Sequence, residues 1–172
     1  MTEPVKEELS EVWEKAVRSS HHFLTEQDLN YYRSRMKNVY LPAVEIYTIK
    51  KQCRIVAFMG LSDEMVEMLF VLPSEKGNGY ASALLDFALT EKHINKIDVN
   101  EQNTEALRFY LHRGYKVKGR DETDAYGKPY PILLSRNRKP KQIGWNKNGE
   151  FHSQMQLIGY AICCACFYSR LL

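Results

Sequence analysis

The stretch MVEMLFVLPSEKGNGYASALLDFA, Met65 to Ala88, decides how this chain is read. Val66 to Val71 is nearly all apolar and is bounded by Pro73, the pattern of a buried strand. Ala81, Leu84, Leu85 and Ala88 recur at i, i+3, i+4 and i+7, the stripe of an amphipathic helix. Gly77-Asn78-Gly79 forms a tight loop between the two. Glycines let a backbone close on a ligand, and the helix start adds unpaired N–H groups and the positive end of a dipole. Strand, glycine loop and helix in that order cradle a phosphate or pyrophosphate. The expected ligand is therefore a phosphorylated cofactor.

Upstream of this unit, Leu9, Val12, Trp13, Ala16 and Val17 share one face and predict a helix over Lys6 to Ser19. Ser20-His21-His22-Phe23-Leu24 reads as a loop. Thr25 is placed to cap a second helix whose stripe is Leu29, Tyr32, Met36 and Val39, with Pro42 ending it. Strands are expected at Val44 to Ile49 and Arg54 to Leu61, joined by the polar Lys50-Lys51-Gln52. Downstream, Lys96 to Asn100 is a short strand, and Asn103 caps a helix that runs through Arg113 with Gly114 as its stop. Tyr115 to Gly119 and Tyr130 to Leu134 are the last strands, separated by the turn-rich stretch Asp121 to Gly127. The fold class is α+β, a mostly antiparallel mixed sheet flanked by helices with one helix-linked parallel step.

At 172 residues, 44% hydrophobic and 26% charged, the chain is long enough for one domain with a real core. Six basic residues and one acidic residue follow Ser135, so residues 1–134 carry a net −2 of the chain's +3. That distribution argues against a basic nucleic-acid-reading face. The break in character divides the chain into a domain at 1–134 and an extension at 135–172, a basic linker followed by an apolar end. The extension reads as a packing segment, a partner-binding or membrane-surface helix, or an appendage. Its apolar run, Leu157 to Tyr168, is shorter than the ~20 residues of a spanning helix. Met1 to Trp13 is acidic with no apolar signal core. Cys53 and the Cys163, Cys164, Cys166 cluster do not form a disulfide pattern, so reduced thiols in a cytoplasmic protein are expected. His21 and His22, adjacent in extended chain, cannot both face one metal and have no further ligand at suitable spacing. No metal is expected, and the pair reads either as substrate-lining or as a structural loop.

The glycine loop is not a P-loop, because the lysine and hydroxyl that follow the second P-loop glycine are absent. A dinucleotide fingerprint would read Gly77-x-Gly79-x-x-Ser82 with Asp98 at a strand end. Too few elements follow for a doubly wound sheet. A third pattern fits better. Lys76-Gly77-Asn78-Gly79-Tyr80-Ala81 resembles the acyl-CoA pyrophosphate loop of the GNAT superfamily of N-acetyltransferases, [RQ]-x-x-G-x-[GA], with Lys76 in the Arg/Gln place. Asn103-Thr104-Glu105-Ala106-Leu107-Arg108-Phe109-Tyr110 resembles that family's N-x-x-A-x-x-F-Y helix, and Arg113-Gly114-Tyr115 its step into the next strand. Val99 to Asn103 and Gly127 to Ile132 are similar to a bacterial subgroup, and the likeness spans roughly Val12 to Leu134. Family members usually open with a strand, whereas Glu3 to Leu9 here reads as helix.

The resemblance implies acetyl-CoA as co-substrate and transfer of its acetyl group to a primary amine of a small molecule or protein. It implies pyrophosphate contacts at Lys76, Gly77, Asn78, Gly79, Tyr80 and Ala81, and pantetheine contacts at Leu69, Val71 and Asn103. Tyr110 would protonate the leaving thiolate, or else be a core aromatic. Glu67, the one charge in its strand, would serve as general base or be an edge-facing or salt-bridged carboxylate. The acceptor would lie among His21, His22, Phe23 and Tyr126. A homodimer is compatible with this reading. A non-catalytic acyl-CoA-binding module and a nicotinamide-cofactor binder are the competing readings.

Overall fold

The computed structural model describes residues 1–137 and the backbone of residues 155–158. The elements run α1 (Glu3–Ser20), α2 (Glu26–Arg35), β1 (Glu45–Lys51), β2 (Arg54–Leu61), β3 (Val66–Val71), α3 (Tyr80–Thr90), β4 (Lys96–Asn100), α4 (Thr104–His112), β5 (Tyr115–Asp121), β6 (Ile132–Asn137) and β7 (Met155–Ile158). They build a sheet in the order β5-β6-β4-β3-β2-β1-β7. Every neighbouring pair is antiparallel except β3 with β4, the step bridged by α3. The α+β architecture expected from the sequence is the one observed.

Both faces of the sheet are covered. On one face Val66, Ile97 and Val99 pack with Leu84, Leu85 and Ala88 of α3 and Tyr110 of α4. On the other, Ile46, Phe58 and Met68 pack with Leu9, Val12 and Trp13 of α1 and Leu29 and Tyr32 of α2. β2 is buried on both sides, which explains why Ile55 to Leu61 is continuously apolar rather than alternating. Gly60 lies where a Cβ would sit 2.8 Å from Val44 Cγ2 and 3.3 Å from Met68 Cβ, so the strand can pass there only without a side chain.

Local details follow the sequence closely. Thr25 caps α2 by accepting the Asp28 N–H at 3.1 Å. The β1–β2 hairpin turns through Gln52 and Cys53, both at positive φ, as in a type I′ turn. α2 ends at Arg35 rather than at Pro42, and Met36–Tyr40 and Leu41–Ala43 continue as wider and tighter helical turns. β5 extends to Asp121.

Differences gather at the ends. α1 starts at Glu3 and takes in Ser20. β6 begins at Ile132, not Tyr130, and continues to Asn137, past the break placed at Leu134. Arg136 and Asn137 therefore belong to the sheet, where Asn137 Nδ2 donates to the Arg113 carbonyl at 3.1 Å. Met155–Ile158 of the extension forms a strand along β1, pairing Ile46 with Ile158 and Ile49 with Met155. The rest of the extension, including residues 138–141 and the cysteine cluster, lies outside the described residues.

Candidate active site

β3 and β4 diverge. Their ladder has a single register pair, Val66 with Ile97, whereas β2 follows β3 from Leu61 to Ala57. A parallel pair that separates after one contact leaves main-chain groups on the inner edge of β3 without a strand partner. The gap opens into a cavity of about 370 Å³. It is lined by β3 from Val66 to Val71, by the glycine loop, by α4 and by the last turn of α1.

One end of the cavity is the loop. Gly77 and Gly79 sit at φ +84° and +81°, and a Cβ on either would meet nothing within 4 Å. The left-handed backbone demands glycine, and the empty space beside it is what a ligand needs. Gly79 caps α3, its carbonyl accepting the Ala83 N–H at 2.9 Å. The N–H groups of Tyr80, Ala81 and Ser82 precede Ala83, the first N–H with an acceptor in the helix, and so face outward. Asn78 does not line the cavity. Its side chain turns back to donate to the Glu75 carbonyl at 3.2 Å and to Glu75 Oε2 at 2.9 Å. Lys51 of the hairpin holds the same Glu75 at 3.0 Å, pinning the loop to the sheet. Lys76 pairs with Glu105 on α4 at 2.7 Å, across the cavity rim.

The middle holds Glu67 and Tyr110. Between Gly60–Met68 and Leu61–Val66 the β2–β3 register shifts, leaving Glu67 as the extra residue of a bulge. The bulge breaks the alternation that would otherwise force this side chain onto a packed face. Glu67 lines the cavity, and its Oε2 is buried without a hydrogen-bond partner among the described residues. Burial pushes its carboxyl up to about 7, with a hydrogen bond from Ser62 pulling weakly the other way. Tyr110 is buried on α4 at the same cavity, its ring 5.9 Å from that of Tyr115. Burial first, and Tyr115 second, push its phenol upward, so it stays protonated. One space thus joins the glycine loop and the start of α3 to a carboxylate able to accept a proton near neutrality and a phenol able to donate one.

The far end is closed by α1 and Asn103. His21 is buried and lines the cavity, with Asn103 Nδ2 3.4 Å from its Nε2. Burial lowers its imidazole to about 4, aided by the charges of His22 and Lys76, so it is neutral near pH 7. The other acceptor-side candidates do not reach the cavity. His22 is exposed, and Phe23 packs on the outside of His21 and Tyr130 with ring separations of 5.3 and 5.8 Å. Tyr126 is not a lining residue either. It packs against Tyr31, Tyr32 and Tyr40, because Asp124 fixes its loop by accepting the Tyr126 and Lys128 N–H groups and the Tyr32 hydroxyl. Conversely, Ala16, Ser20, Asp98, Glu105 and Phe109 line the cavity, which the sequence does not lead one to expect. Only the folded chain brings α1 and β4 to the mouth.

Among the described residues no group of three His, Cys, Asp or Glu side chains could hold a metal, and no helix is long and apolar enough to cross a membrane. Residues 8–128 match the family model described as an acetyltransferase (GNAT) domain. The chain is 37% identical over 131 residues to the peptidyl-lysine N-acetyltransferase YjaB of Salmonella typhimurium, covering 74% of this chain and 88% of that one. It is 35% identical to YjaB of Escherichia coli, covering 74% and 86%. The solution structure of apo YjaB from E. coli superposes with a TM-score of 0.72 at 33% identity, covering 77% of this chain and 90% of that one. The PaiA N-acetyltransferase from Thermoplasma acidophilum in complex with coenzyme A shares the fold at a TM-score of 0.59 and 16% identity, covering 79% and 95%. The chain belongs to the GNAT acetyltransferase family, and it is an acetyl-CoA-dependent N-acetyltransferase.

Proposed function

We propose that the chain acetylates lysine side chains of proteins, drawing the acetyl group from acetyl-CoA bound in the gap between β3 and β4. The observation that carries this reading is the single cavity joining the Gly77–Ala81 loop to Glu67 and Tyr110. Backbone N–H groups at the start of α3 hold the pyrophosphate, and Lys76 adds a positive charge once it leaves Glu105. The free edge of β3 around Leu69 and Val71, with Asn103 opposite, receives the pantetheine arm.

The chemistry requires a neutral amine and a protonated leaving group. Glu67, directly or through a water, accepts a proton from the lysine ammonium. The amine nitrogen then bonds to the thioester carbonyl carbon, and the carbon–sulfur bond breaks as the tetrahedral species collapses. Tyr110 gives its phenolic proton to the departing thiolate, and the proton lost from the new amide nitrogen restores the phenol. A base near 7 suits this task, because it is ionised at working pH yet still binds a proton appreciably. The curated relatives named above are bacterial, and the reading places this enzyme in a bacterial cytoplasm, where the exposed Cys53 would stay reduced.

The test is release of free thiol from acetyl-CoA with lysine peptides, polyamines and amine antibiotics offered in parallel, with the products identified by mass spectrometry. Acetylated lysine peptides are the expected product. Turnover confined to the small amines would overturn the acceptor assignment.

A further inference from the structure

The cavity wall contains a chain of hydrogen bonds that the reaction as described does not use. Asn103 Oδ1 accepts the Ala106 N–H at 3.2 Å and so caps α4. That bond fixes which end of the amide is oxygen, so Nδ2 is the donor towards His21 Nε2 at 3.4 Å. An imidazole nitrogen that accepts carries no proton, which places the proton on Nδ1. Nδ1 lies 2.8 Å from Ser20 Oγ, and that hydroxyl in turn donates to the Ala16 carbonyl at 2.8 Å. The run from Ala106 to Ala16 thus admits one consistent direction.

We infer that His21 is a positioning residue, which holds the Asn103 amide in one orientation so that its remaining Nδ2–H points into the cavity as a donor for the acyl-CoA arm. The inference rests on the reading in which Asn103 contacts that arm. A capping amide held only through its oxygen can swing about that bond. Held at both ends, it presents a fixed donor, and the ordering cost is met before the ligand arrives. A neutral imidazole suits the place, since a charged one would have no acceptor to offer Asn103. Both residues are buried, which strengthens the hydrogen bond between them. His21 thus acts on the co-substrate through Asn103 rather than by touching the acceptor amine.

Calorimetric titration with acetyl-CoA tests this in five proteins: wild type, His21→Leu, His21→Gln, Asn103→Ser, and the double variant His21→Leu/Asn103→Ser. The thermal midpoint of each is recorded alongside. His21→Leu is expected to weaken acetyl-CoA about three- to tenfold, the worth of one hydrogen bond. His21→Gln, whose Oε1 can take the place of Nε2, should recover most of that loss. Asn103→Ser keeps a hydroxyl cap on α4 but has no amide donor, and should weaken binding at least as much. In the double variant the His21→Leu change should then add nothing further. Additive losses, or no recovery in His21→Gln with its thermal midpoint unchanged, would overturn the positioning role while leaving the Asn103 contact standing. Wild-type affinity in Asn103→Ser would remove that contact, and the inference would fall with it. If His21→Leu does not fold, His21→Asn, too short to reach Asn103, takes its place.

Discussion

Val66 of β3 and Ile97 of β4 are the single register pair at which the two parallel strands meet, and the cavity begins where that pairing stops. Amides on the β4-facing edge of β3 therefore have no sheet partner in the free protein. In hydrogen exchange, a subset of residues 67–71 should slow at least about tenfold when acetyl-CoA is added, while β1–β2 amides stay unchanged. Equal protection across the sheet would show that the ligand does not bind along this edge.

If Glu67 is the base, it couples rate to pH. With its carboxyl raised to about 7, kcat/KM should climb through that region and level off above it. Glu67→Gln should lose that climb and most of the rate. Stability runs the opposite way. The unfolded carboxyl ionises near 4.5, so folding is progressively penalised from there up to about pH 7. Denaturant melts at pH 8 should find Glu67→Gln more stable than wild type, and at pH 4 nearly equal to it.

Tyr110→Phe removes one proton donor and little volume. Turnover should fall at least about tenfold with acetyl-CoA affinity barely moved, as read by steady-state kinetics and calorimetry together. An unchanged turnover would take Tyr110 out of the mechanism.

Gly79→Asp places a side chain and a negative charge where φ is +81° and the neighbouring space is empty. Backbone strain and repulsion of the pyrophosphate act together, and calorimetry should detect no acetyl-CoA binding. Retained affinity would exclude this loop as the phosphate cradle.

Gly60→Ala tests the sheet rather than the site. A methyl 2.8 Å from Val44 Cγ2 and 3.3 Å from Met68 Cβ must displace the packing around it, at a cost of about 1–3 kcal/mol in a denaturant melt. Acetyl-CoA affinity of the folded fraction should change little, because β2 lies behind β3 as seen from the cavity.

The sequence by itself determined the local units and their order. Strand, glycine loop and helix at Val66 to Ala88 and the Thr25 and Asn103 caps were legible because period, capping and positive φ are short-range properties. Tertiary structure decided what those units do together. The divergence of β3 from β4, the bulge that turns Glu67 towards the cavity, and the contact of His21 with Asn103 eighty-two residues away depend on strand pairing and packing that no local pattern encodes. The same holds for Tyr126, whose aromatic character suited a binding wall until Asp124 and three other tyrosines claimed it for packing. It holds also for Met155–Ile158, which lies on β1 through main-chain hydrogen bonds that are indifferent to side-chain pattern.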